Sequence, residues 1–377
     1  MSSPSGQYGR KTRRPEDTLS ETPGADRILL PSFGITSLNN PDLAVLGWTA
    51  HFARQLDHDA TDLPARIAEV SRDHLTTLSP QGQITLVTPD ETGLYAVGDW
   101  VLHDGSRVTR RLDRMTEIAR RSAGPQAGRQ LIAANVDTLA IVTSCNADFN
   151  VARLERYLAL AAQAGCLPLI VLTKADLSEE ADDLVRLAGR LSPLVTAMAI
   201  NAKDADDALR LAPWCGKGQT LALVGSSGVG KTTLQNHLTG LSEATQDIRE
   251  DDAKGRHTTT ARALRATLAG GWLIDTPGIR ELALTDAAEG IDAVFAEITD
   301  LVGHCRFNDC KHESEPGCAI KAAIEAGALD PDRLDRWRKL QREDRFNSES
   351  VSEARARFRK LGKMHRIGKD RGETKRR

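Results

Sequence analysis

The sequence predicts a multidomain chain: an N-terminal β-barrel, a central α/β sheet and a small, mostly helical C-terminal unit. Three observations predict it. Short, often alternating segments between about Pro64 and Arg120 are punctuated by SPQG, PDETG and DGS, the texture of a small barrel or sandwich. After Gln130 apolar strands alternate with helical stretches, which argues for a mostly parallel sheet covered by helices. Three cysteines and a histidine then fall between Cys305 and Cys318 in an otherwise short-segmented, polar stretch.

A chain of 377 residues is too long for one ordinary core and suits two or three domains. Residues 1–26 are polar and rich in Pro, Gly and Ser, and read as a disordered tail. PDLAVLGWTAHFARQL reads as one short helix packed by Leu46, Trp48, Phe52 and Leu56. The segments ARIAEVS, HLTTLS, QITLVT, GDWVLHD, RVTRRL and MTEIAR supply the barrel strands. In the central unit VDTLAIVTS, CLPLIVLT, LVTAMAIN, QTLALVG, RALRATL and GWLIDT read as strands. ARLERYLALAAQAG, LSEEADDLVRLAGRL, DADDALRLAP and GKTTLQNHLTG read as helices. AIKAAIEAG and DPDRLDRWRKLQRED are the helices expected near the end.

The net charge of −2 conceals a polarised distribution, because RVTRRLDRMTEIARRSAGPQAGR and the terminal ARARFRKLGKMHRIGKDRGETKRR are strongly basic. Such patches suit a polyanion, of which RNA is the obvious candidate. No apolar run reaches the length of a membrane span, and the first residues lack the apolar core of a secretory signal. The expectation is a cytoplasmic monomer with no membrane partner. In that compartment clustered cysteines indicate a metal rather than a disulfide framework. Cys145, Cys166 and Cys215 are scattered among apolar residues and read as small core hydrophobes.

GSSGVGKT, between the strand LALV and the helix TTLQNHL, fits GxxxxGK(S/T). Gly225, Gly228 and Gly230 let the backbone bend around an anion. The amides of Gly225, Ser226, Ser227, Gly228, Val229, Gly230, Lys231, Thr232 and Thr233 then face phosphates along the helix dipole. Lys231 is expected at the β- and γ-phosphates, with a catalytic role, and Thr232 on Mg²⁺. Asp275, in DTPG after an apolar strand, is the second expected Mg²⁺ partner, and the Gly278 amide is expected at the γ-phosphate.

VLTKADL comes well before this loop. A carboxylate at Asp176 can accept both the N1 hydrogen and the exocyclic amine of guanine, and adenine offers no such pair. The Lys174 stem would cover the base, and the Ala202 amide, in Asn201-Ala202-Lys203, would meet the guanine O6. Thr173 stands where GTPases usually have Asn, which weakens the bracing of the loop more than base recognition. Each string ends a buried strand, in the order a circularly permuted GTPase requires. Ile279 occupies the position where many GTPases carry a water-orienting Gln. His257 is the candidate to orient water, with Thr258 or a neighbouring Thr of 258–260 closing on Mg²⁺ and phosphate. Cys305, Cys310, His312 and Cys318 form C-x4-C-x-H-x5-C, a complete tetrahedral shell for one structural Zn²⁺, with His304 as a possible decoy.

GDWV, ANVD, TKADL, GSSGVGKTTL, GRHTTT, GWLIDTPGIRE and the Cys/His cluster run in this order from about Pro64 to Cys318. In this the chain resembles the RsgA (YjeQ) family of circularly permuted GTPases. The resemblance implies an OB-type barrel, a permuted GTPase domain and a zinc domain. It also implies GTP hydrolysis stimulated by the small ribosomal subunit, a late assembly role there, and participation of His257. The boundaries it suggests are 27–122 for the N-terminal segment and RNA-binding barrel, 123–288 for the GTPase domain, 289–345 for the zinc domain and 346–377 for a basic tail. Because the chain runs from DTPGIRELAL into the zinc unit, movement of Gly278 is expected to tilt that unit. The competing classes are a phosphate-loop ATPase or small-molecule kinase, and a non-catalytic RNA-binding protein that uses nucleotide structurally.

Overall fold

The computed structural model describes residues 41–57, 61–121, 129–242, 262–275, 284 and 286–348. The tail 1–26, His257, Thr258 and the rest of GRHTTT, Gly278, and residues 349–377 lie outside the described residues. No helix of the described residues is long and apolar enough to cross a membrane.

The expected single N-terminal helix is two short ones, α1 (Pro41–Val45) and α2 (Ala50–Ala53). Gly47 divides them, with φ +89, a conformation that favours glycine. A Cβ there would also meet the Arg66 guanidinium at 2.7 Å. Leu46, Trp48 and Phe52 are buried as expected, and Trp48 stands edge-on to Trp100 at 4.7 Å between ring centres.

Strands β1 (Leu63–Val70), β2 (Leu75–Ser79), β3 (Gly82–Leu86), β4 (Trp100–His103) and β5 (Val108–Arg111) form a ring. β1 pairs antiparallel with β2 and β4, β2 with β3, and β4 with β5. A parallel bridge between Val87 and Arg107 joins the end of β3 to the start of β5, through Val87 N–H to Ser106 O at 3.0 Å and Val108 N–H to Val87 O at 2.9 Å. The order 1-2-3-5-4 thus returns to β1. Ala65, Ile67, Leu75, Leu86, Tyr95, Val101 and Val108 fill the interior, while Arg107, Arg110 and Arg111 face solvent.

A two-stranded ribbon follows, β6 (Glu117–Arg121) against β7 (Arg129–Ala134). The second sheet is built from β8 (Thr138–Ser144), β9 (Leu167–Thr173), β10 (Thr196–Ala199), β11 (Thr220–Gly225), β12 (Ala263–Ala266) and β13 (Trp272–Asp275). Its order is β10-β9-β8-β11-β13-β12. All neighbours are parallel except β12, which runs antiparallel to β13. β12 meets β1 through Ala263 and Glu69, so barrel and sheet share hydrogen bonds. The connecting helices are α3 (Val151–Ala164), α4 (Ala181–Gly189), α5 (Ala205–Ala208) and α6 (Lys231–Thr239). Asn150 caps α3 by accepting from Arg153 N–H at 2.9 Å, and Gly165 ends it at φ +76.

GDWV and ANVD interlock where barrel meets sheet. A Cβ on Gly98 would come within 2.1 Å of Ala134 O, so only glycine allows this approach. Asn135 donates to Gly98 O at 3.0 Å and accepts from Met115 N–H at 2.9 Å. Asp137 accepts from Thr220 N–H at 2.7 Å. Buried Asp99 accepts from Arg114 at 2.6 Å. Arg66, also buried, donates to Leu46 O at 2.6 Å, Thr220 Oγ1 at 2.8 Å and Asn135 O at 3.1 Å. Burial lowers its pKa to about 10, as desolvation disfavours a cation.

The C-terminal unit holds α7 (Ala288–Val294), α8 (Ala296–Val302), α9 (Ala319–Glu325) and α10 (Pro331–Ser348). The first two were not among the expected elements. α7 lies so close to α3 that a Cβ on Gly290 would meet Ala159 O at 2.2 Å. Fully buried Glu155 of α3 accepts from Arg333 at 2.8 Å and Arg336 at 2.9 Å, both from α10. Arg333 also donates to Glu297 Oε1 at 2.7 Å and Val294 O at 2.8 Å. Removing one partner of such a network leaves uncompensated buried charge, worth roughly 3–5 kcal/mol. Glu155→Ala is therefore expected to lower the melting temperature by about 5 °C, because an unfolding entropy of about 2.1 cal/mol/K per residue over 377 residues makes each kcal/mol worth a little over ~1 °C. A thermal melt that moves by less than a couple of degrees would contradict this account of the joint.

Candidate nucleotide-binding edge and metal centre

The parallel strands bring their carboxyl ends to one edge of the sheet, where open α/β sheets bind ligands. β9 delivers Lys174 and Asp176 there, β10 delivers Asn201 and Ala202, β11 the loop from Gly225 to Lys231, and β13 ends on Asp275. Segments far apart in the chain become neighbours because β8 and β11 stand side by side at the centre of the order.

The loop after β11 needs its glycines. Gly225, Gly228 and Gly230 have φ of +143, +73 and +97, and a Cβ on Gly225 would come within 2.0 Å of Val142 O. Val229 is buried in the core beneath the loop, while Ser227 and Gly228 are exposed. Lys231, the first residue of α6, donates from Nζ to Gly225 O at 2.8 Å and to Ser226 O. Thr232 and Thr233 follow in the same helical turn.

The TKAD and NAK segments pack against this loop. A Cβ on Gly230 would stand 3.4 Å from Ala202 Cβ and 3.7 Å from Thr173 Cγ2. Ala175 N–H reaches Ile200 O at 3.3 Å, which ties the TKAD turn to the strand end before Asn201. Lys174 adopts φ +58 at the turn. Asn201 Oδ1 accepts from Lys203 N–H at 3.0 Å, and Asp207 accepts from Asn201 N–H at 2.5 Å. The Asp176 side is solvent-exposed, open to a ligand at the edge. The Thr173 hydroxyl is buried and lies 2.6 Å from Val229 O and 3.1 Å from Thr143 O. A bond to Val229 O braces the TKAD strand end directly on the phosphate loop, the tie that a Thr in this position was expected to weaken.

Two features escaped the sequence reading. The segment after β8 lies on the same edge, with Ser144 Oγ donating to Asn146 Oδ1 at 2.8 Å and Asp148 paired with Arg153 at 2.9 Å. SCNADFN carries no motif, and only the strand order exposes its position. The other is Gln235, buried in α6, whose Nε2 lies 3.5 Å from Asp275 Oδ2.

Mg²⁺ prefers oxygen donors and keeps several waters, with one or two protein ligands. The Thr232 hydroxyl and Asp275 carboxylate are donors of that kind. Strand alternation sends Asp275 to the same face as Leu273, which packs with Leu234 and Leu238 of α6. Asp275 and the helix that carries Thr232 therefore face one another. The residues fit the ion.

In the C-terminal unit the ligand atoms of Cys305, Cys310, His312 and Cys318 all lie within 4.8 Å of one another. His312 Nδ1 is 3.5 Å from both Cys305 Sγ and Cys318 Sγ. Tetrahedral zinc, with Zn–S near 2.3 Å and Zn–N near 2.0 Å, separates sulfur and nitrogen by about 3.5 Å. The donor set and its spacing therefore fit Zn²⁺ with no open position. His312 sits at φ +60, and its backbone carbonyl accepts from Arg338 at 2.9 Å. Burial, then the nearby Arg338, lowers its pKa, which favours the neutral imidazole a metal needs. His304 is no part of the cluster and bonds Asp300 O at 2.7 Å.

A central parallel sheet with a phosphate loop, preceded in the chain by the TKAD and NAK turns on the same edge, has the arrangement of a circularly permuted GTPase. A family model described as RsgA GTPase matches residues 111–285. The small ribosomal subunit biogenesis GTPase RsgA of Mesorhizobium japonicum is 53% identical over 328 residues, covering 85% of this chain and 94% of that protein. The corresponding RsgA 2 of Vibrio parahaemolyticus is 46% identical, covering 88% and 94%. In fold the chain is similar to YjeQ from Thermotoga maritima, with a TM-score of 0.54 at 24% identity over 74% of this chain and 97% of that one. It is also similar to YloQ, described as a circularly permuted GTPase, with a TM-score of 0.53 at 22% identity over 78% and 99%. The chain belongs to the RsgA GTPase family, and its activity is GTP hydrolysis.

Proposed function

We propose that this protein is a cytoplasmic, monomeric GTPase that binds the small ribosomal subunit through its rRNA, assists late maturation of the subunit, and hydrolyses GTP to GDP and phosphate when docked there. The observation that carries the reading is the meeting of TKAD, NAK and the phosphate loop around Gly230, in a chain 53% identical to a small-subunit biogenesis GTPase.

In this reading Asp176 and the Ala202 amide read guanine, Lys174 covers it, and Thr173 and Asn201 hold the two turns in place. Gly225 to Thr233 cradle the phosphates, with Lys231 at the β- and γ-phosphates. Thr232 and Asp275 hold Mg²⁺, which neutralises charge on the phosphate oxygens. Gly278 meets the γ-phosphate, His257 orients the attacking water and Thr258 closes over the site. The ring β1–β5 is an OB-type barrel whose exposed Arg107, Arg110 and Arg111 meet RNA phosphates; its closed 1-2-3-5-4 order supports this assignment. One structural Zn²⁺ occupies the Cys/His cluster. The domains are a tail at 1–26, the N-terminal segment and barrel at 27–122, the GTPase domain at 123–288, the zinc domain at 289–345 and a basic tail at 346–377.

The test is GTP hydrolysis with and without purified small subunits, alongside competition of GDP and ADP for a fluorescent nucleotide. The expected result is preference for GDP and a large stimulation by subunits that disappears in His257→Ala. Equal competition by ADP, or hydrolysis indifferent to the subunits, would overturn the reading.

A further inference from the structure

Gln235 is the buried polar residue that the nucleotide site does not yet explain. It is 4% exposed, on a helix whose neighbouring buried positions, Leu234 and Leu238, are apolar. A buried amide is costly unless hydrogen-bonded. Its Nε2 faces Asp275 Oδ2 at 3.5 Å, the outer limit of such a bond. Two periodicities create the meeting. Alternation along β13 puts Leu273 and Asp275 on the α6 face and Ile274 on the other. Helical spacing places Gln235 three residues beyond Thr232, on the same side of α6 and four beyond Lys231.

We propose that Gln235 is a positioning residue for Asp275. Its amide donates to one carboxylate oxygen, fixes the rotamer of the acid and leaves the other oxygen directed to the edge that carries Thr232. The helix that cradles the phosphates thereby orients the acid arriving from a different strand, so the two expected Mg²⁺ partners are held as one unit before the ion binds. This rests on the nucleotide-binding reading above.

Gln235→Met keeps the volume and removes the donor. Its test is the rate of fluorescent GDP release as a function of Mg²⁺ concentration, together with release in excess EDTA and a thermal melt. The expected result is a several-fold increase in the Mg²⁺ concentration that half-slows release, with the EDTA rate unchanged within about twofold. Gln235→Leu should behave alike. Gln235→Glu, which retains length but loses the donor when ionised, should not restore the wild-type midpoint together with wild-type pH dependence. An unchanged Mg²⁺ midpoint in Gln235→Met would overturn the proposal, as would a change only in melting temperature. Failure of the wild-type protein to bind GDP would instead overturn the nucleotide reading itself.

Discussion

Asp176→Asn is expected to weaken GDP binding by at least about 100-fold and to improve binding of xanthosine diphosphate relative to GDP. Guanine presents two donors, N1–H and the exocyclic amine, and a carboxylate accepts both. An asparagine amide accepts one and sets its own N–H₂ against the other. Each buried group left unsatisfied costs about 1–3 kcal/mol, and more where a charge-assisted bond is lost. Two such losses span roughly 30- to 10⁴-fold in affinity, and the charge-assisted bond lost here places the expectation above about 100-fold. Xanthine replaces the exocyclic amine with a carbonyl, which the asparagine N–H₂ can meet. Asp176 is exposed, so its replacement should change stability by about 0.5 kcal/mol or less, and lost binding cannot be assigned to unfolding. The measurement is competition of GDP and xanthosine diphosphate for a fluorescent nucleotide, beside a melt. Unchanged GDP affinity would remove the guanine-reading role from Asp176.

Much of this edge is legible in the chain because short-range chemistry dictates it. GSSGVGKT needs positive φ at three glycines, and a strand followed by a helix is the setting such a loop requires. TKAD and NAK are weak strings alone, yet each follows a buried apolar run. The cluster C-x4-C-x-H-x5-C states its own ligands. What was not legible depends on chain crossings. GDWV and ANVD signal the family, but their physical purpose appears only when Gly98 meets Ala134 O and Arg66 reaches Thr220 across the joint. β7 was hidden because its partner β6 and its own RQLIAA look like parts of a basic stretch. AEGIDAVFAEITDLV held two helices without strong caps; Ala287 and Phe295 stand at the cap positions with no side-chain bond. Gln235 gave no signal of its own, because a single polar residue at a buried position carries no periodic signature.

The joint also changes the mechanical expectation that follows from permutation. A unit tilted freely by the second switch would have to separate α7 from α3. Gly290 brings those helices into backbone contact, and Glu155 is buried against two arginines of α10. Breaking that network costs about as much as breaking a buried ion pair, roughly 3–5 kcal/mol, more than the roughly 1–3 kcal/mol of a common allosteric coupling. The two residues just before α7 are held too, because Ala287 N–H donates to buried Asp344 at 2.8 Å and Asp286 N–H donates to Ser348 at 2.8 Å. We therefore expect nucleotide-dependent motion to act at the last turn of α10 before it moves the unit as a body.

Cys310→Ser is expected to abolish zinc binding and to unfold the segment from Cys305 to Cys318 while GDP binding persists. That segment has little else to hold it: Phe307 is exposed, and most of its residues between the ligands face solvent. Structural zinc sites contribute an apparent 10–16 kcal/mol in small modules, as much as the whole stability of an ordinary domain. Losing one of the three thiolates, and so one of four ligands, removes most of that. The damage should spread only as far as the shared core. Cys318 and Ile320 pack in the same cluster as Leu329, Leu334 and Trp337, and the His312 and Trp337 rings are 6.3 Å apart, so α9 and the first half of α10 should loosen. The phosphate loop rests on a separate cluster, Val229 with Leu221, Leu223, Leu234 and Leu273, on the opposite face of the sheet from α3, and has no ligand in common with the metal. Zinc content, hydrogen exchange and fluorescent GDP affinity measured on the full chain check the three parts together. Retained stoichiometric zinc would show that Cys310 is no ligand, whereas loss of GDP binding along with the metal would show that the two clusters fold as one cooperative unit and not as separable halves.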